Sequence, residues 1–178
     1  MTARSLLGVL VTAIVLFFMG FIYWGINTLP YESWNAVGND ADAQATLAQL
    51  MPNDGVYFVP GFRSQAGAEL LENGPLIQAY VDHSPVSPND PSIFLYGFLV
   101  NVVTALLLAL VLRPEDSLGQ HIRTGALIAA LAVVTVEINN MVWWQVPLSW
   151  QLHLSVYTVL VFLVGAAVTS FFIRPKAS

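Results

Sequence analysis

The chain has 178 residues, 56% of them hydrophobic and only 10% charged, with a formal net charge of −5. Such a composition is too apolar for a water-covered domain and belongs to the membrane class. The negative balance and the lack of a basic patch exclude nucleic-acid binding, and the absence of cysteine excludes disulfides, thiolate metal sites and thiol redox chemistry.

Four apolar runs, residues 5–26, 93–112, 124–144 and 150–173, have the length that a hydrocarbon core of about 30 Å demands. None contains Lys or Arg inside its apolar stretch. A backbone in lipid must satisfy its own hydrogen bonds, so the runs are predicted to be helices. The first run is longer than a signal-peptide core and ends in Phe21, Ile22, Tyr23 and Trp24 without a small-x-small cleavage site. It therefore reads as an uncleaved anchor.

Between the first and second runs, residues 27–92 hold eight of the eleven carboxylates: Glu32, Asp40, Asp42, Asp54, Glu69, Glu72, Asp82 and Asp90. Asp40 is positioned to cap a helix that begins at Ala41, carries Leu47 and Leu50 on one side, and stops at Pro52. Asn53, Asp54 and Gly55 form a turn into a strand over 56–59, which is β-branched and aromatic. A second helix is predicted over 64–72, ended by Asn73, Gly74 and Pro75, and a second strand over 76–81 that pairs with the first. Pro85, Pro88 and Pro91 favour an extended approach to the next membrane run, a stiff linker in preference to a Pro-rich ligand. A segment of about 65 residues without disulfide staples is marginal alone and is expected to rest on the helix ends. Its dispersed carboxylates read as a solvated surface, and Asn39, Asp40 and Asp42 lack the spacing of an EF-hand loop.

Basic residues orient the chain. Arg4 precedes the first run, Arg113 and Arg123 flank the connection at 113–123, and Arg174 with Lys176 follows the last run, whereas the other two connections carry only Arg63. Both termini are therefore expected in the cytoplasm, with 27–92 and the 145–149 turn on the far side. Tyr23, Trp24, Trp143, Trp144 and Trp150 all fall at the predicted outer ends, where aromatic rings anchor at headgroup level.

No dinucleotide fingerprint, phosphate-binding loop, His-Glu-x-x-His or nucleophile elbow is present. The residue that most asks for explanation is Glu137, an ionisable group within a membrane run, which is expensive unless paired, protonated or near the interface. Glu137, Asn140 and Trp144 share one helical face, and the short turn that follows brings Gln151, His153 and Ser155 to the same depth. Arg63, the one basic side chain on that side, is available to neutralise Glu137. On one reading Glu137 and His153 handle protons, a metal or a ligand, with His83 as a third group; on the other the cluster is an interhelical hydrogen-bonded clasp. Two or three scattered groups make a poor metal site. Histidines 83, 121 and 153 are at unsuitable depths for a bis-His haem, so no cofactor and no metal is expected.

On the last run Gln151, Ser155, Thr158, Phe162, Gly165 and Thr169 recur at steps of four and three, a small and polar seam suited to close helix contact. Gly97, Asn101 and Thr104 share a face of the second run, with Asn101 able to hydrogen-bond across, and Gly125, Ala129 and Ala132 share one on the third. These rows serve internal packing or contact with another subunit; nothing in them lines a polar pore.

MPNDGVYFVP at 51–60, PSIFLYGFLVN at 91–101 and NNMVWWQVPLSW at 139–150 together resemble an uncharacterised family of small four-helix bacterial inner-membrane proteins with an extracytoplasmic Met-Pro-x-x-Gly-x-Tyr segment. The resemblance implies a bacterial cytoplasmic membrane and the same topology, and brings no catalytic residue with it. The expected fold is an all-α transmembrane four-helix bundle with a small α+β extracytoplasmic module between helices 1 and 2. The expected role is a non-catalytic accessory or assembly subunit of an envelope or respiratory complex, partnered by the lipid bilayer and by a membrane protein or a second copy of itself. Its alternative is a protein that binds or transports an ion, quinone or lipid at the polar cluster.

Overall fold

The computed structural model describes residues 2–63, 65–84, 87 and 90–174. Four helices are long and apolar enough to cross a membrane, the signature of a multi-pass membrane protein: α1 (Ala3–Ile26), and, after two short helices and two strands, Pro91–Val111, Leu118–Trp144 and Leu148–Ile173. The short elements between are α2 (Asp40–Leu50), β1 (Gly55–Val59), α3 (Gln65–Asn73) and β2 (Ile77–Val81), so the three later apolar helices are α4, α5 and α6. Two compact units result, one comprising 1–34 with 89–178 and the other 35–88.

Side-chain caps decide where three of the four apolar helices, α1, α4 and α5, begin. Asp90 accepts from the Ser92 N–H at 2.8 Å with Pro91 in the first turn of α4, where its missing N–H is no loss. Ser117 and Gln120 form a reciprocal capping box at the start of α5, with contacts of 3.3 and 2.7 Å. That box starts α5 at Leu118, ahead of the apolar run at 124, and takes His121 and Arg123 out of the connecting loop into the helix. Gln145, in the left-handed region at φ 55°, reverses the chain between α5 and α6. The Val146 N–H closes that turn on the Asn140 carbonyl at 3.2 Å.

Within this unit α6 is the hub. It packs on α1, α4 and α5, and α1 packs in addition on α4. Val9, Ala13 and Ala105 form the α1–α4 core, bordered by Phe98, Val102, Leu106 and Ala109. Against α6 the contacts are small and polar: Thr12 and Thr169 share a buried hydrogen bond of 3.1 Å, and a Cβ on Gly125 would lie 2.6 Å from the Phe162 carbonyl oxygen. Where α1 begins and α6 ends, the Arg4 guanidinium donates to the carbonyls of Phe171 and Arg174 at 2.6 and 2.7 Å, a cation on the negative end of the α6 dipole. Large apolar side chains such as Leu99, Leu107, Leu110, Leu127 and Leu131 face outward. An apolar exterior of this extent suits a lipid surrounding and not water.

The second unit is a small mixed module. β1 and β2 pair antiparallel, with Val56 opposite Tyr80 and Phe58 opposite Gln78. Asn39, and not Asp40, caps α2: its Oδ1 accepts from the Ala41 and Asp42 N–H groups at 3.0 and 3.3 Å, which moves the helix start to Asp40. Leu47 and Leu50 are exposed, and α2 buries none of its residues. Asp54 Oδ1 accepts from both the backbone N–H and Nδ1 of His83, at 2.7 and 2.9 Å, and so ties the start of β1 to the segment leaving β2. Ser64, the expected start of α3, lies outside the described residues, as do Pro85 and Pro88 of the linker and Lys176.

Candidate functional site

The polar cluster forms where α5 and α6 face each other near their connecting turn. Residues Val133–Ile138 of α5 make a wide π-helical turn that ends beside Glu137, the kind of helix irregularity that often accompanies function. Glu137 is only 8% exposed. Its Oε2 accepts from the Gln151 Nε2, and its Oε1 from the Thr158 hydroxyl at 3.3 Å. Gln151 and Thr158 stand seven residues apart on one face of α6, with Ser155 between them donating to the Gln151 carbonyl at 2.9 Å. Gln151 is 1% exposed, and its Oε1 has no hydrogen-bond partner among the described residues.

Two other expected members of the cluster, Asn140 and His153, are placed differently within the same unit. Asn140 lies one turn beyond Glu137 and contributes its carbonyl to the α5–α6 turn. His153 is two residues from Gln151 and therefore about 200° around the helix from it. Its carbonyl accepts from the Tyr23 hydroxyl at 3.0 Å, which joins α1 to α6. Arg63 is exposed in the module, and His83 is bonded to Asp54 there. Among the described residues no three His, Asp or Glu side chains are grouped to hold a metal ion. Around the same end of the helices, Tyr23, Trp24, Trp34, Trp150 and Tyr157 make a continuous ring cluster with centroids 4.9 to 5.7 Å apart.

The packing rows also divide. Gly165 is buried, and a Cβ there would lie 2.6 Å from Leu108 Cδ1; Thr169 is buried against Thr12, while Ser155 and Thr158 are half-buried. Gly97 is exposed, with nothing within 4 Å of an added Cβ. Asn101 Nδ2 donates to the Gly97 carbonyl at 2.9 Å and Thr104 to the Val100 carbonyl at 3.0 Å, both within α4 itself. This row looks away from α1, because α4 turns Phe98, Val102, Ala105 and Ala109 toward that helix instead. Beside it lies an apolar groove of about 380 Å³ bordered by Thr104, Leu107 and Leu108 of α4, Ile128 of α5 and Phe162 of α6.

His121 is a residue that composition and spacing pass over. It is fully buried, with Nε2 2.7 Å from the Arg113 carbonyl and Nδ1 2.7 Å from the Ser170 hydroxyl. A carbonyl only accepts, so Nε2 carries the proton, and in the neutral ring Nδ1 accepts from Ser170. The signal in the sequence is faint: a His in the first turn of one apolar helix and a Ser in the last turn of another that runs the opposite way.

The class that fold and cluster define is a multi-pass helical protein with one buried carboxylate among neutral hydrogen-bonding groups. No protein-family model, curated protein or solved structure matches this chain.

Proposed function

We propose that the chain is a multi-pass protein of the bacterial cytoplasmic membrane and a non-catalytic accessory or assembly subunit of a larger membrane complex. Both termini are cytoplasmic and the 35–88 module is extracytoplasmic, supported by the placement of Arg4, Arg113, Arg123 and Arg174 at one end of the helices and the tryptophans at the other.

The observation that carries the reading is the open row on α4. Only 11% of the most apolar stretch of α4 is buried, against 28% for α1 and α6, and Gly97, Asn101 and Thr104 lie along it. Asn101 retains an acceptor oxygen and a second N–H that its own helix does not use. Acyl chains offer such a group nothing, whereas a helix from another subunit can pack closely over Gly97 and hydrogen-bond Asn101. Tagged protein extracted in mild detergent is expected to bring a stoichiometric membrane partner, identified by mass spectrometry. Gly97→Leu is expected to release the partner without loss of the monomer fold, and Glu137→Gln to leave it bound; extraction as a lone monomer under these conditions would defeat the proposal.

A second reading has its own support. The unpartnered Gln151 oxygen beside the Glu137 carboxylate favours a small-ligand site at that cluster, for an ion, quinone or lipid headgroup.

A further inference from the structure

Among the described residues hydrogen-bonded to it, Glu137 meets no electropositive group. The groups that hydrogen-bond its carboxylate, the Gln151 amide and the Thr158 hydroxyl, are both neutral, so a charge buried in an apolar helix has no counter-charge among its bonded partners. Gln151 Oε1, on the same amide as the nitrogen that meets Glu137, is a buried acceptor without a donor. Turning the amide over does not cure the deficit. It sets oxygen against carboxylate, acceptor to acceptor, an arrangement that a small cation between the two oxygens satisfies.

We propose that Glu137, Gln151 and Thr158 bind a small monovalent cation of the Na⁺ kind; this rests on the ligand-binding reading of the cluster and names its ligand. The oxygens present, a carboxylate, an amide carbonyl and a hydroxyl, are the donors hard cations take. Thr158 Oγ1 keeps lone pairs for a cation while its hydrogen faces Glu137 Oε1. Charge decides the valence. One carboxylate and one monovalent ion sum to zero inside an apolar helix pair, whereas a divalent ion would leave a net charge there, and no grouping of three His, Asp or Glu residues exists among the described residues to balance it. The π-helical turn over Val133–Ile138 is also in keeping, since interruptions of membrane helices are common places for coupling ions.

The test is thermal unfolding of the purified full-length protein in detergent, with NaCl, KCl and choline chloride compared at equal ionic strength. NaCl is expected to raise Tm by a few degrees over choline in a saturable way. Glu137→Gln, which keeps an amide able to pair with Gln151, is expected to abolish the rise, and Thr158→Val to move its midpoint to about tenfold higher Na⁺. Identical curves in Na⁺ and choline, or a Na⁺ effect that survives Glu137→Gln, would overturn the cation site. Stabilisation by a quinone or by anionic lipid vesicles, but not by Na⁺, overturns the cation while leaving the ligand reading in place. Stability that falls as pH rises, with no preference among the salts, overturns it in favour of a proton on Glu137.

Discussion

Asp54 and His83 show how much one side chain can hold in a small module. The backbone N–H and then the ring of His83 keep the Asp54 carboxyl below its ordinary value of 3.8. A carboxyl whose folded value is depressed contributes its stabilisation fully above the ordinary value and loses it as pH falls through the lowered one. Protection of β1 and β2 is therefore expected to weaken below about pH 4, and Asp54→Asn to flatten that dependence. Amide exchange, corrected for its intrinsic pH dependence, reads this directly; an unchanged acid profile in Asp54→Asn would remove the pair from the account. His121 makes the opposite case in an apolar setting. His121→Leu leaves the Ser170 hydroxyl and the Arg113 carbonyl without their partner, and is expected to cost about 1–3 kcal/mol, measured as a lowered Tm in detergent. Glu137 is legible in the sequence because an ionisable group in an apolar run stands out, and Gln151 follows from equal depth. The roles of His121 and Thr158 are not, because each is set by a partner many residues away whose direction around its helix depends on the packing.

At the level of elements, two glycines that look equivalent in the sequence are predicted to behave differently. A Cβ on Gly125 meets the Phe162 backbone carbonyl at 2.6 Å, which cannot move without shifting α6, whereas one on Gly165 meets the end of the Leu108 side chain, which can turn aside. Gly125→Ala is expected to destabilise by about 1–3 kcal/mol and Gly165→Ala by clearly less, compared by Tm in the same detergent. Equal losses would mean that α5 and α6 approach less closely than described. Periodicity identifies both rows but not which neighbour each one meets. The row on α4 is the plainest instance, since Gly97 and Asn101 carry the same kind of small and polar pattern as Gly165 and Thr169, yet Gly97 is exposed and the half-buried Asn101 bonds back to the Gly97 carbonyl of its own helix. Element ends are similarly underdetermined by hydropathy: a single hydrogen-bonding side chain, Ser117 for α5 and Asn39 for α2, sets where each helix begins.

For the whole molecule, four apolar helices and a small two-stranded module follow from run length and turn residues alone. What hydropathy cannot order is the packing of the four, because an apolar helix surrounded by lipid shows no stripe to mark its buried side. The proposed topology is open to a direct check, helped by the absence of native cysteine. Ala48→Cys in the module is expected to react with a membrane-impermeant maleimide added to spheroplasts, and Glu115→Cys in the α4–α5 connection only after the membrane is permeabilised. The reverse pattern would invert the orientation.

The grip of Arg4 on the last carbonyls of α6 also sets an order of events. Arg4, Thr12 and Tyr23 all reach for residues of α6, at Phe171 and Arg174, Thr169 and His153. A ribosome releases α1 long before it releases α6, so α1 must wait in the bilayer with α4 as its companion while these polar groups have no mate. The four-helix packing is completed only when α6 arrives to meet these groups of α1, so until then two hydroxyls and a guanidinium stand in the bilayer without the partners the folded chain gives them.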